Sequence, residues 1–125
     1  MTDIKAKGRA ILARLLGDAY VQKRTASLNT FNRDLRDMSD YCVGTVWSRP
    51  ELEPKVRSMV CIAMLTALGK ESQLRLHLRG ALVNGCTTDE IREVILQSVV
   101  YCGFPAAGEA SRIAEEVFDE KGIKR

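Results

Sequence analysis

The chain has 125 residues, 46 % hydrophobic and 28 % charged, with 19 Lys and Arg against 16 Asp and Glu for a net charge of +3. That length predicts one domain over residues 1–125, and the composition is that of an ordinary soluble protein. The mild positive balance suits a small anionic ligand, falls short of the charge concentration of a nucleic-acid binder, and comes with too few aromatics for a base-stacking platform.

The opening stretch, MTDIKAKGRA, has no apolar core and no cleavage pattern, so no secretion signal is expected and a cytoplasmic setting is. The longest apolar run, Met59 to Leu68, is too short to cross a bilayer, so no membrane partner is expected. Residues 3–16 read as a first helix, capped by Asp3 and ended by Gly17. Ala19 to Leu28 fits either a short helix or an extended arm. Asn29-Thr30 offers caps for a helix through Phe31, Leu35, Met38 and Cys42 toward Trp47. Ser48-Arg49-Pro50 breaks it, because the residue before proline is biased out of the α region.

Pro54 suits the first position of the next helix. Val56 to Leu68 is apolar nearly all round, which predicts a central, buried helix. Gly69 stops it, and a second helix follows at once as the other arm of an antiparallel hairpin, roughly 54–69 and 71–84. Asn84-Gly85 closes that arm. Thr87-Thr88-Asp89-Glu90 is a capping box opening a stripe of Ile91, Val94, Ile95, Val99 and Cys102. A last helix after Gly103-Phe104-Pro105 carries Ala106, Ala110, Ile113, Ala114, Val117 and Phe118. With no period-two alternation, the fold class is all-α, with six to seven helices. The several apolar helices and the Ala-rich PAAGEA favour a homo-oligomer over a monomer that spends both in its own core.

His77, the sole histidine, lies in ESQLRLHLRGALVNG. At helical spacing Leu74, His77, Leu78, Ala81 and Leu82 share one face, with Arg75 and Arg79 opposite. Gly80 and Ala81 leave a hollow one turn on, and Gln73, one turn back, is placed to hydrogen-bond the ring. A satisfied core histidine and a functional one are both compatible with that position. The four cysteines, Cys42, Cys61, Cys86 and Cys102, are too scattered for a CxxC or zinc pattern, so free thiols and no metal are expected.

VWSRPELEPKVRSMVCIAMLTAL followed by LRLHLRGALVNGCTTDEIREVILQSVVYCGFPAAGEA resembles the carboxymuconolactone decarboxylase family of the alkylhydroperoxidase D-like superfamily. LLGDAYVQKR and FNRDLRDM extend the resemblance over nearly the whole chain. It implies an alkylhydroperoxidase D-like bundle, a homo-oligomer (hexamer or trimer), and cofactor-free conversion of 4-carboxymuconolactone to 3-oxoadipate enol-lactone in protocatechuate catabolism, part of the β-ketoadipate pathway. Two departures stand out. Family decarboxylases commonly carry an acid two before the tryptophan, where this chain has Thr45 in Gly44-Thr45-Val46-Trp47. The thiol-peroxidase branch has CxxC where this chain has Lys70 and Gln73. A divergent paralogue acting on another small acid or as a peroxidase, or a non-catalytic oligomeric member, is therefore the alternative.

Loss of carbon dioxide from an unsaturated lactone acid leaves an electron pair that spreads to the lactone oxygen. The enzyme must stabilise that oxyanion, hold the carboxylates and return a proton to carbon. His77 is the candidate for the proton or oxyanion role. Arg57 is the candidate carboxylate clamp, or else a helix-end surface charge. Arg49 is a second candidate clamp, with Trp47 either a core anchor or a substrate wall. Thr45, Gln73 and Gly80 complete the expected substrate-binding set.

Overall fold

The computed structural model describes residues 3–125. Met1 and Thr2, the first residues of the stretch read for a secretion signal, lie outside the described residues. Every regular element among the described residues is a helix, and none is long and apolar enough to cross a membrane. The chain divides into two compact units, the first ending at Glu53 and the second covering Pro54–Arg125.

The first unit holds α1 (Ile4–Leu16), α2 (Asp18–Ala26) and α3 (Arg33–Trp47). Asp3 caps α1 by accepting from the Lys5 amide at 2.9 Å, as the sequence predicts. The ambiguous stretch after Gly17 is helical. The third helix starts later than Asn29-Thr30. Asn29 Oδ1 accepts from the Phe31 and Asn32 amides, and Asn32 Oδ1 accepts from the Asn29 amide, so the two side chains close a turn and leave Arg33 as the first helical residue.

Helices α1 and α3 meet backbone to backbone. A Cβ at Gly44 would lie 2.1 Å from the Ile4 carbonyl oxygen, and one at Gly8 would lie 1.9 Å from that of Asp40. Only hydrogen at these positions lets the helices cross so closely. Asp40, 4 % exposed, is compensated by Arg24 at 2.6 Å and Arg9 at 3.4 Å. Arg24 thereby ties α2 to α3.

The second unit holds α4 (Pro54–Leu68), α5 (Glu71–Val83), α6 (Thr88–Cys102) and α7 (Phe104–Lys121). Gly69, at φ +66°, ends α4 with paired bonds from the Gly69 amide to the Thr66 carbonyl and from the Lys70 amide to the Leu65 carbonyl. The chain then turns directly into α5, making the expected hairpin. Gly85 ends α5 by the same pairing, through Leu82 and Ala81. Thr87 and Glu90 form the capping box with bonds of 2.9 and 3.0 Å. The core joins Ile62, Leu74, Leu78, Ile91, Ile113 and Val117, all essentially sealed from solvent.

Helix α4 departs from expectation. Its buried line is Ser58, Ile62 and Thr66, while Val60, Met64 and Leu68 are exposed. The other helices of the unit cover one side of α4, and its apolar back is left open. Of PAAGEA, Ala107 and Ala110 are buried in the unit's own core, so those small residues serve packing inside the chain.

Candidate active site

Helix α5 is anchored along its buried line and along one flank of it. Leu74, Leu78 and Ala81 face the core. Arg75 pairs with Glu116 at 2.6 Å, and Arg79 grips Glu120 through two nitrogens at 2.9–3.1 Å. Arg79 is therefore committed to α7 within the same unit. Arg112 adds bridges to Glu71 and Glu116, and the arginines hold the Glu116 carboxyl below its ordinary range. This helix presents His77 from a fixed axis.

The imidazole is half-buried, and its Nδ1 is sealed from solvent without a hydrogen-bond partner. Gln73 is exposed, and no hydrogen bond joins it to the ring, so the expected orienting contact is absent. Gln73 stands in the exposed first turn of α5, ahead of the helix's first buried residue, Leu74. Burial pushes the His77 pKa below its ordinary value, because the cation loses hydration that nothing nearby replaces. Gly80, one turn on, is buried and adds no side chain beside the ring. The site thus offers a neutral imidazole with one buried nitrogen left without a partner.

Arg57 lies on α4, the other arm of the hairpin, with its Nε buried. Its charge is felt by Cys61, one turn on. Burial raises the Cys61 thiol pKa and the Arg57 guanidinium opposes that rise only in part, so the thiol stays protonated at neutral pH. Cys86 is likewise raised by burial and by Glu90, and all four cysteines are free thiols.

The remaining expected residues belong to the first unit. Thr45 is exposed near the end of α3, Trp47 is half-buried at its last position, and Arg49 is exposed in the following loop, 3.8 Å from Glu51. Gly44 of the same motif has a structural cause, the α1–α3 crossing.

Two residues outside the expected site set belong with this hairpin. Asn84, read only as a helix end, donates from Nδ2 to Ser58 Oγ at 2.9 Å and to the Pro54 carbonyl at 3.3 Å. Ser58, one residue after Arg57, is 1 % exposed. A serine in a hydrophobic helix was the available signal, since a hydroxyl buried there needs a partner.

Residues 35–116 match the Carboxymuconolactone decarboxylase family. The chain belongs to that family. A 4-carboxymuconolactone decarboxylase of Acinetobacter baylyi is 44 % identical over 94 % of this chain and 88 % of its own length. A nitrosuccinic acid decarboxylase of Metarhizium robertsii is 33 % identical over 91 % of this chain and 80 % of its own. The family match spans all of α4 and α5, so His77, Arg57 and Asn84 stand within it.

Proposed function

We propose that this chain is a cofactor-independent decarboxylase of 4-carboxymuconolactone or a closely related lactone acid, forming 3-oxoadipate enol-lactone, a carbon–carbon lyase of the cytoplasm. The observation that carries the reading is the buried Nδ1 of His77, left without a hydrogen bond, in a chain whose family relatives are decarboxylases. A buried polar atom left without a partner is uncommon and costs stability, and a ligand oxygen would satisfy it.

In the reaction, the bond from the ring carbon to the departing carboxylate breaks and carbon dioxide leaves. The electron pair moves through the ring double bond onto the lactone oxygen. The oxygen's pair then re-forms the lactone carbonyl while the enolate's carbon–carbon pair takes up a proton at the α carbon, so the ring keeps the shifted double bond that formed as carbon dioxide left. His77 is neutral in the free protein at neutral pH, because burial lowers its pKa. A bound anion beside the ring raises that pKa again, so the complex can carry the proton that carbon requires. Arg57 is the group proposed to hold a carboxylate, and its planar guanidinium suits two-point binding.

The two relatives' names support chemistry that the protein can run with side chains alone. In a muconolactone acid the electrons left by carbon dioxide reach a lactone oxygen. In nitrosuccinic acid they reach a nitro group on the carbon that loses its carboxylate. Both acids carry their own electron sink, so the protein's share is to place carboxylates, exclude water and supply a proton.

Self-association into a hexamer or trimer is part of the proposal. Leu35, Met38, Val100, Tyr101 and Phe104 are each more than 60 % exposed, a large apolar display for a chain of this length. The deciding experiment is turnover of 4-carboxymuconolactone by the purified chain, followed by loss of substrate and release of carbon dioxide, beside Arg57→Ala. Turnover by the wild type with a raised KM in the variant is expected. An inactive wild type overturns the lactone assignment, and turnover of nitrosuccinic acid in its place would move the substrate to a nitro acid.

A further inference from the structure

The first turn of α4 is weakly held by apolar packing. Pro54 is exposed, Lys55, Val56 and Arg57 are half-buried, and the buried line of the helix begins only at Ser58. Polar ties take over there. Asn84 Nδ2 donates to both the Pro54 carbonyl and Ser58 Oγ, which bracket Arg57 in sequence. The Cys86 thiol lies 3.6 Å from the Lys55 carbonyl, and Lys55 pairs with Glu90 at 2.7 Å. Asn84 is also the residue that ends α5, about two turns beyond His77 on nearly the same edge of the helix.

We infer that Asn84 is a positioning residue: its side-chain amide clips the end of α5 to the first turn of α4 and so sets where Arg57 stands relative to His77. The hairpin has a covalent turn at Gly69–Lys70, and this clip is its polar counterpart at the open end. Between the two closures, sliding or splaying of α4 against α5 is blocked. His77 itself sits mid-helix above Leu74, Leu78 and Ala81 and keeps its place without the clip. Arg57, one residue from the helix's first buried position, does not. The inference rests on the decarboxylase reading for the roles of the two groups.

The test uses the full chain as wild type, Asn84→Ala, Asn84→Gln, Ser58→Ala and the Asn84→Ala/Ser58→Ala double variant. For Asn84→Ala, KM for 4-carboxymuconolactone is expected to rise about tenfold, the scale of one well-placed hydrogen bond, with kcat within about threefold. Ser58→Ala leaves the Pro54 carbonyl as acceptor and should give a smaller rise. The double variant should match Asn84→Ala, because both lesions break one tie. Asn84→Gln, which keeps the amide, should recover part of the loss. A merely structural role would lower thermal stability and the active fraction, seen as reduced kcat at unchanged KM, and that result would overturn the inference.

A second readout does not depend on turnover. His77 is the sole histidine, so its Cε1 proton gives one resolvable NMR signal. Succinate, a minimal dicarboxylate, is expected to shift that signal in the wild type and to need about tenfold more concentration in Asn84→Ala. Equal succinate affinity in the two proteins overturns the clip alone. A wild type that neither turns over the lactone nor responds to succinate overturns the site on which the clip acts.

Discussion

Replacing His77 by leucine should stabilise the protein while removing its activity. Nδ1 of the native ring is buried without a hydrogen bond, and an unsatisfied buried polar atom costs about 1–3 kcal/mol. Leucine is close in volume, suits a helix, and would sit beside Leu74, Leu78 and Ala81 without that atom. The shape mismatch between a flat ring and a branched chain returns part of the gain. A net stabilisation of about 1 kcal/mol remains, which for a chain of this size raises Tm by roughly 3–6 °C. Turnover should fall by about 10²–10⁴, the usual contribution of a positioned acid or base. Differential scanning calorimetry and steady-state assays on the same preparations check both halves. The pairing of the two effects is diagnostic, because a histidine kept for packing would lose stability on substitution and leave the folded molecules active. A leucine variant that melts lower than wild type with near-normal turnover would refute the reasoning.

The remaining expectations concern pH, packing and assembly. Burial lowers the folded pKa of His77 below its ordinary 6.5, so the unfolded chain binds the extra proton first as pH falls. The stability linked to this group is therefore complete above about pH 6.5 and is lost as pH falls through the folded pKa. The difference in Tm between wild type and His77→Leu should widen in the leucine variant's favour on acidification, and a constant difference would contradict the lowered pKa. Gly44→Ala forces α1 and α3 apart at a 2.1 Å approach, so a loss of about 3 kcal/mol is expected in urea unfolding. A loss within experimental error would mean that the crossing yields easily. Light scattering coupled to size exclusion should give a mass several times 13.9 kDa, and a clean monomer would leave the exposed apolar side chains without a covering surface.

Local chemistry was legible without coordinates. Asp3, Gly17, Gly69, Gly85 and the Thr87–Glu90 box each act through bonds a few residues long, so their positions in the sequence announce them. The same holds for the 3.6-residue spacing that turns His77 toward the core, and for the motifs that point to the family. Other features depended on which element packs against which. Val60, Met64 and Leu68 share α4's apolar character with Ile62, yet only Ile62 faces another helix of the unit. Gly44 reads as part of a tryptophan motif until α1 is seen crossing it at backbone distance. Gln73 has the right spacing to reach His77, but it stands in the exposed first turn of α5, where no neighbouring helix turns its amide inward. Asn84 looks like a helix end, and only the fold of the hairpin brings Pro54 and Ser58 to its amide. Helix ends and faces follow from neighbours in the chain, whereas an unsatisfied nitrogen, a backbone crossing and a clip between helices are relations between distant segments, set when the chain folds.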